Sequence, residues 1–406
     1  MKTDTFDVVI SGGGLSGCLM ALSLADLHHA DGTPLSIAIV EASPILKNHN
    51  LTFDDRVLAL SHGSADYLEK VGAWQGLKND VQAIETIHIS DREHYGKARI
   101  YAKEYDVSAL GYVIGMALVG KSLLTVLANK NKIFNNVSWF APDNITSVNW
   151  QEESVNIMLS SGQSLFANLL IGCDGANSIC RKLANIKMTE TCYGQSALIT
   201  NVATVNAHNN IAYERFTDTG PIAMLPLSTI KEGEHRCSLV WTLTPELADE
   251  MLSLNDDEFK QTLESNFGSW LGGITQVGKR HVYPLKLVQA QEQVYHRTVL
   301  LGNAAHTIHP IAGQGFNLGL RDVQQLTAVI KMALDQQQDI GLFSLLSAYA
   351  QQREKDHQQV ISLTDSLVTL FSNQLAPMVA GRNIGLKMLN YLSPIKADLV
   401  KKTMGY

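Results

Sequence analysis

Three glycine-bearing stretches carry the residue types and spacings that can do chemistry. The first is "FDVVISGGGLSGCLMALSLA". An apolar strand pattern, Phe6–Ile10, runs into Gly12-x-Gly14-x-x-Gly17 and then into a helix-like run. Glycines so placed let the backbone turn tightly, approach a pyrophosphate and pack helix on strand, while the helix start offers free N–H groups and a positive dipole end. A second apolar run, "SIAIVEA", ends in Glu41, an acid placed to accept hydrogen bonds from an adenosine ribose. The fingerprint alone fits FAD or NAD equally. The second stretch, "ANLLIGCDGANSICRKLANI", delivers Asp174 and Gly175 from a strand pattern, with Ser178 and Arg181 just behind. The third, "RTVLLGNAAHTIHPIAGQGFNLGLRD", ends a strand at Gly302-Asn303. It continues through Gly313, Gln314, Gly315 and Asn317 into a run apolar at helical spacing. A loop of that kind can lay main-chain amides against a flat ring. The following helix start can then neutralise negative charge that the ring acquires.

These stretches need elements to hold them: parallel strands whose carboxyl ends lie side by side, each followed by a loop and a helix. With 406 residues the chain is long enough for about two domains. Its 45% hydrophobic and 17% charged residues describe a globular protein. A formal charge of −7 gives no general attraction for nucleic acid. The five cysteines (Cys18, Cys173, Cys180, Cys192, Cys237) are scattered, odd in number and form no CxxC pair. That favours buried thiols in a reducing compartment over disulfides or a zinc site, and no metal ligand set is expected. The start "MKTDTFDVVISGGG" holds Asp4 and Asp7 and runs directly into a strand pattern, and no apolar run reaches the roughly 18 residues a membrane span needs. The expected location is cytoplasmic.

The three stretches, in this order and at these separations, resemble the single-component flavoprotein aromatic hydroxylases. "HTIHPIAGQGFNLGLRDV" and "YERFTDTGPIAMLPL" are similar to the ubiquinone-biosynthesis group of that family. The resemblance implies an α/β fold: a Rossmann-like FAD-binding domain of aromatic-hydroxylase type, an inserted β-sheet substrate domain and a C-terminal helical segment. It implies that Gly12, Gly14, Gly17 and Glu41 hold the ADP half of FAD. Arg56 would lie along the cofactor, and Asp174 and Gly175 would sit near its pyrophosphate and the route of the nicotinamide donor. Asn303 stands where the family usually has Asp, keeping an oxygen acceptor without the charge. Gly313, Gln314, Gly315 and Asn317 would line the flavin ring, and Pro310 would lie between ring and substrate. Where many relatives have Gln-Arg, this chain has Gly120-Lys121, so Lys121 keeps a positive charge without the bidentate fork of arginine.

The implied activity is an FAD-dependent monooxygenation. NAD(P)H reduces FAD, oxygen adds to give a flavin hydroperoxide, and its distal oxygen attacks an electron-rich ring. A phenol is activated ortho and para to its hydroxyl, so the expected reaction is 4-hydroxylation of a 2-polyprenyl-6-methoxyphenol in ubiquinone biosynthesis. Competing expectations are a sister ring hydroxylase acting at another position, an isoprenoid flavin reductase on the same fold, and a flavoprotein that scaffolds a biosynthetic complex. No acid–base residue stands out. His306 and His309 fit either loop packing near the cofactor or proton transfer. Strand alternation lets Tyr213 or Arg215 face the ring, or the solvent instead. The FAD domain is expected to be discontinuous, at 1–75, 106–185 and 285–355. Residues 76–105 and 186–284 would form the substrate domain and 356–406 the C-terminal helices. That tail carries Arg382, Lys387, Lys396, Lys401 and Lys402 against Asp398, among apolar residues. It suits a peripheral membrane contact or a partner subunit, or else a helix packed on the FAD domain with its basic face solvated.

Overall fold

The computed structural model describes residues 3–45, 52–92, 96–307, 314–372, 400–401 and 404–405. Its first layer is an eight-stranded sheet. Thr3–Ser11 pairs in parallel with Ser164–Gly172 on one side and Ile37–Val40 on the other; Val137–Phe140 and Thr298–Leu300 extend the sheet outward, also in parallel. The central strands read as apolar runs because both faces are covered: Val8, Val9, Ile10, Ile37, Ala38 and Ile39 have no solvent exposure. The helices Leu15–Leu24, Met116–Phe134 and Gln314–Asp335 cover one face. Each parallel strand ends at the same edge, and a ligand belongs in the crevice there.

The second layer is a nine-stranded sheet running from His306–Thr307 through His281–Ala290, Met188–Thr204, His235–Leu243, Pro221–Leu227, Ile211–Phe216 and Thr86–Asp91 to Lys97–Tyr101; Ile274–Val277 pairs beside Met188–Thr204. Helices Pro245–Ser253 and Asp256–Phe267 cover one face of it, burying Leu198, Met224, Trp241, Phe259 and Phe267. Asn255 and Glu258 start the second of these helices with a reciprocal capping box. A three-stranded antiparallel sheet, Val57–Ser61, Gly111–Gly115 and Gln82–Ile84, lies between the large layers. Its Ile84 and Val113 pack on Ala212 and Leu227 of the nine-stranded sheet.

His281–Ala290 runs as one strand through residue 285, and the helix Phe343–Ser372 runs as one element through residue 356. Helix hydrogen bonding continues across residue 356, whereas the ladder of His281–Ala290 with Met188–Thr204 shifts register at residue 285, between Lys286 and Pro284. Most of the basic tail, 373–399, lies outside the described residues. Val400 and Met404 are buried against Ala102 and Leu110, and the Gly63 amide donates to the Met404 carbonyl at 2.8 Å. Among the described residues no helix is long and apolar enough to cross a membrane. Cys18, Cys173, Cys180 and Cys237 are buried free thiols as expected, whereas Cys192 is exposed. It follows a stretch of strand that has come off the buried part of the sheet, where the register breaks between Cys192 and Ser196.

Candidate active site

The three glycine-bearing stretches converge at the carboxyl edge of the parallel strands. The Gly12 amide donates to the Val40 carbonyl at 2.7 Å and the Cys173 amide to the Ser11 carbonyl at 2.8 Å, locking the first two loops side by side. Gly12 adopts φ +98°, and a Cβ there would lie 2.6 Å from the Cys173 carbonyl oxygen. At Gly17 a Cβ would lie 1.8 Å from the Gly12 carbonyl oxygen. Both glycines are therefore demanded by the protein's own packing. Gly14 differs: no atom lies within 4 Å of a Cβ built there, and no side chain caps the helix that it begins. Its open side and uncapped amides are the space and the donors that a pyrophosphate requires.

Glu41 is held at the end of its strand, its Oε2 accepting from the Gly13 amide at 2.6 Å and its Oε1 from the Ser43 amide at 2.9 Å. Asp174 uses Oδ2 to accept from the amides of Ile179 (2.8 Å) and Cys180 (3.1 Å), while its Oδ1 is buried without a hydrogen-bond partner. Gly175 takes φ +77° beside it with open space around it. Arg181 is buried and donates to the Ala304 carbonyl at 2.8 Å, tying the second loop to the third. Asn303 projects exposed from the short turn Gly302–Ala304. The open Gly14 face, the Asp174 oxygen with no partner among the described residues and the exposed Asn303 side chain fit a cofactor with a pyrophosphate and a polyhydroxyl chain. Burial and the neighbouring Glu41 charge push the Cys18 thiol up to about 12, so it stays neutral in this edge.

Beyond that edge lies a cavity of about 370 Å³, within the usual range of small-molecule sites. Arg56, Gln314 and Asn317 border it from the cofactor side, and the nine-stranded sheet walls it with Ile87, Ala212, Ala223, Leu225 and Val240. Arg56, expected along the cofactor, and Gln314, expected at the flavin ring, both border this cavity. Asn317 also borders it, but its amide is spent on the Val57–Ser61 strand: Oδ1 accepts from the Ser61 amide and Nδ2 donates to the Ala59 carbonyl, both at 2.9 Å. Gly315 lies in the first turn of the same helix. Gly313, Pro310 and His309 fall outside the described residues. Lys121 is exposed on the helix Met116–Phe134 and does not border this cavity.

Of the candidates His306, Tyr213 and Arg215, Tyr213 alone borders the cavity. His306 is buried away from the cavity, its Nε2 2.8 Å from Asp322, and Asp322 also accepts from His357 (2.8 Å) and Arg353 (2.6 Å). Burial acts to raise the Asp322 carboxyl, but the two histidines and their hydrogen bonds hold it well below the usual carboxylate range. The three groups have metal-ligand types, yet Arg353 already supplies the cation. Tyr213 borders the cavity while its ring stacks on Trp270 at 5.5 Å; Arg215 does not border it, and its guanidinium lies 5.1 Å from the same indole. Strand alternation then sends Glu214, between them, to the cavity wall. Sequence reasoning passed over Glu214 because the phase of that strand is set only by its pairing, Glu214 opposite Ala223 and Tyr213 opposite Met224. The one available signal was an acid alternating with Ala212 on a face that is otherwise apolar.

A family model described as FAD binding domain matches residues 5–364. The chain is 32% identical to ubiquinone hydroxylase UbiL of Rhodospirillum rubrum, over 98% of this chain and 89% of that protein. It is 31% identical to the human mitochondrial ubiquinone biosynthesis monooxygenase COQ6, over 98% and 92%. The chain belongs to this FAD-dependent monooxygenase family. Among solved structures the fold of this monooxygenase is similar to that of PqsL from Pseudomonas aeruginosa in complex with 2-aminobenzoylacetate. The TM-score is 0.76, with 19% identity over 94% of this chain and 99% of that one. It is likewise similar to p-nitrophenol 4-monooxygenase PnpA of Pseudomonas putida, with TM-score 0.76 and 18% identity over 100% and 99%. The FAD expected from the sequence is therefore the cofactor of this monooxygenase, and the edge described above has the shape to receive it.

Proposed function

We propose that this monooxygenase hydroxylates the aromatic ring of a polyprenyl phenol in ubiquinone biosynthesis, at the carbon para to the phenolic hydroxyl, as in a 2-polyprenyl-6-methoxyphenol. One observation carries the reading: the cavity against the cofactor edge is walled largely by aliphatic side chains from the three-stranded and nine-stranded sheets. Such a wall excludes water and suits a substituted ring with an isoprenoid chain better than a charged metabolite. The names of the relatives UbiL and COQ6 support the pathway. The chemistry supplied by FAD when bound is acceptance of a hydride from NAD(P)H and activation of molecular oxygen. The chain's own work is to bind and orient. Gly12, Gly14 and the first helix would hold the pyrophosphate, Glu41, Asp174 and Asn303 would hold hydroxyl groups, and Gln314 with the helix that it begins would receive the ring system. A peripheral membrane surface would supply the lipid-borne substrate, and proteins of the same pathway are proposed partners.

The test is turnover of 2-polyprenyl-6-methoxyphenol in detergent by the FAD-loaded protein with NADH or NADPH. The expected result is phenol-dependent oxygen consumption and one oxygen atom added at the para carbon. Oxygen added at another ring carbon would make the chain a sister hydroxylase. Anaerobic reduction of the isoprenoid chain would overturn the reading altogether.

A further inference from the structure

Glu214 is the one carboxyl on the sheet wall of the cavity, and nothing in the edge that holds FAD uses it. Among the described residues it makes no hydrogen bond or ion pair. Its neighbours across the strand pairing are Ile89 and Ala223, and Ala212 flanks it on the same face. A carboxyl kept without a partner among aliphatic groups costs stability that glutamine or leucine would not. Such a cost is typical of a group reserved for a ligand.

We propose that the Glu214 carboxylate accepts the hydrogen bond of the substrate's phenolic hydroxyl and takes its proton as the ring is oxygenated. The inference rests on the polyprenyl-phenol reading and adds the residue that anchors the ring. The phenolic O–H bond breaks and an O–H bond forms on Glu214. The electron pair stays on the phenol oxygen and delocalises to the para carbon, which becomes the nucleophile toward the activated oxygen. A C–O bond forms at the para carbon as the O–O bond of the activated oxygen breaks. The other oxygen atom leaves as water, the para C–H proton is released as the ring regains aromaticity, and NAD(P)H supplies the two electrons needed. With its hydroxyl on the sheet wall, the ring presents its para carbon away from that wall, toward the side bordered by Gln314 and Asn317. Glu214 would thus choose the ring position as well as raise the rate.

Burial alone pushes the Glu214 carboxyl up to about 7. The other titratable groups that border the cavity are Asp54, Asp55 and Arg56 from the segment before Val57–Ser61, and Lys279, His281 and Tyr283 from the other side. None of them shifts Glu214. The anion therefore grows in as pH rises through about 7, and phenol oxygenation rises with it.

The experiment compares wild type with Glu214→Gln, both loaded with FAD, using 2-methoxy-6-prenylphenol and its methyl ether as probes. Glutamine keeps the shape and removes the charge, so FAD content and melting temperature are expected to be retained. Oxygenation kcat/KM for the phenol should fall about 100-fold, as for loss of a general base. The rise between pH 6 and 8 should vanish, and wild type's tighter binding of the phenol over the methyl ether, read from the flavin absorbance, should disappear. Unchanged kcat/KM and pH profile in the variant would overturn the assignment, as would an FAD-loaded variant that keeps the preference for the phenol over its methyl ether. Should wild type oxygenate no phenol, the proposed function falls separately, and the binding preference still decides the role of Glu214.

Discussion

At Gly12, Gly14 and Gly17 one short motif separates two reasons for glycine. Gly12 and Gly17 are closed against the chain itself, whereas Gly14 faces open space. Gly14→Val is therefore expected to fold and melt near wild type as apoprotein yet to stay colourless, because its side chain fills the pyrophosphate space. The check is the ratio of absorbance at 450 and 280 nm after incubation with excess FAD; a normal ratio would show that the loop does not carry the phosphate. These positions were legible from spacing, since Gly-x-Gly-x-x-Gly after an apolar strand has few other uses. The cavity wall was not. Tyr213, Glu214 and Arg215 are all polar, so composition does not say which of them looks inward; only the ladder with Pro221–Leu227 does. The setting of His306 was not legible for a related reason: its partners Asp322, Arg353 and His357 come from two later helices, and no local pattern connects them.

Among the elements, the helix Gln314–Asp335 is the one that both receives the cofactor loop and braces the small sheet. Asn317 does the bracing, by pairing with Ser61 and Ala59 in the strand Val57–Ser61. Replacing it with alanine leaves a buried donor and a partly buried acceptor unpaired, at a cost of about 2 kcal/mol. Urea titration of Asn317→Ala should show that loss, together with weaker retention of FAD on gel filtration; an unchanged midpoint would mean the strand finds other partners. Strand–loop–helix order at all three signatures was readable from apolar periodicity. The separate three-stranded sheet was not, because Gln82–Ile84 holds three residues and gains its identity only by pairing with Val113 and Tyr112.

Over the whole molecule, the cofactor edge is assembled from strands that start at Thr3, Ile37, Ser164 and Thr298. A ligand that bridges such distant segments binds the folded chain and not the unfolded one. Free FAD at about 100 times its Kd should therefore add about 2.7 kcal/mol to the unfolding free energy, measured by urea titration with and without FAD. An FAD-independent midpoint would place the cofactor outside this edge. The division of labour between a parallel layer that holds the cofactor and an antiparallel layer that walls the cavity was foreshadowed by buried apolar runs in one region and alternation such as "HRCSLVWTLT" in the other. The joins between layers were not, since the small sheet beside them is built from the separate segments Val57–Ser61, Gln82–Ile84 and Gly111–Gly115. The pairing of Thr298–Leu300 with Leu170–Gly172 also sets a clock on manufacture. A ribosome must deliver the chain well past Asn317 before the seam that grips FAD can close, so vitamin supply acts on finished polypeptides. In cells starved of riboflavin, synthesis would proceed at its usual pace, and the shortage would show afterwards, as an unsealed product handed to proteases.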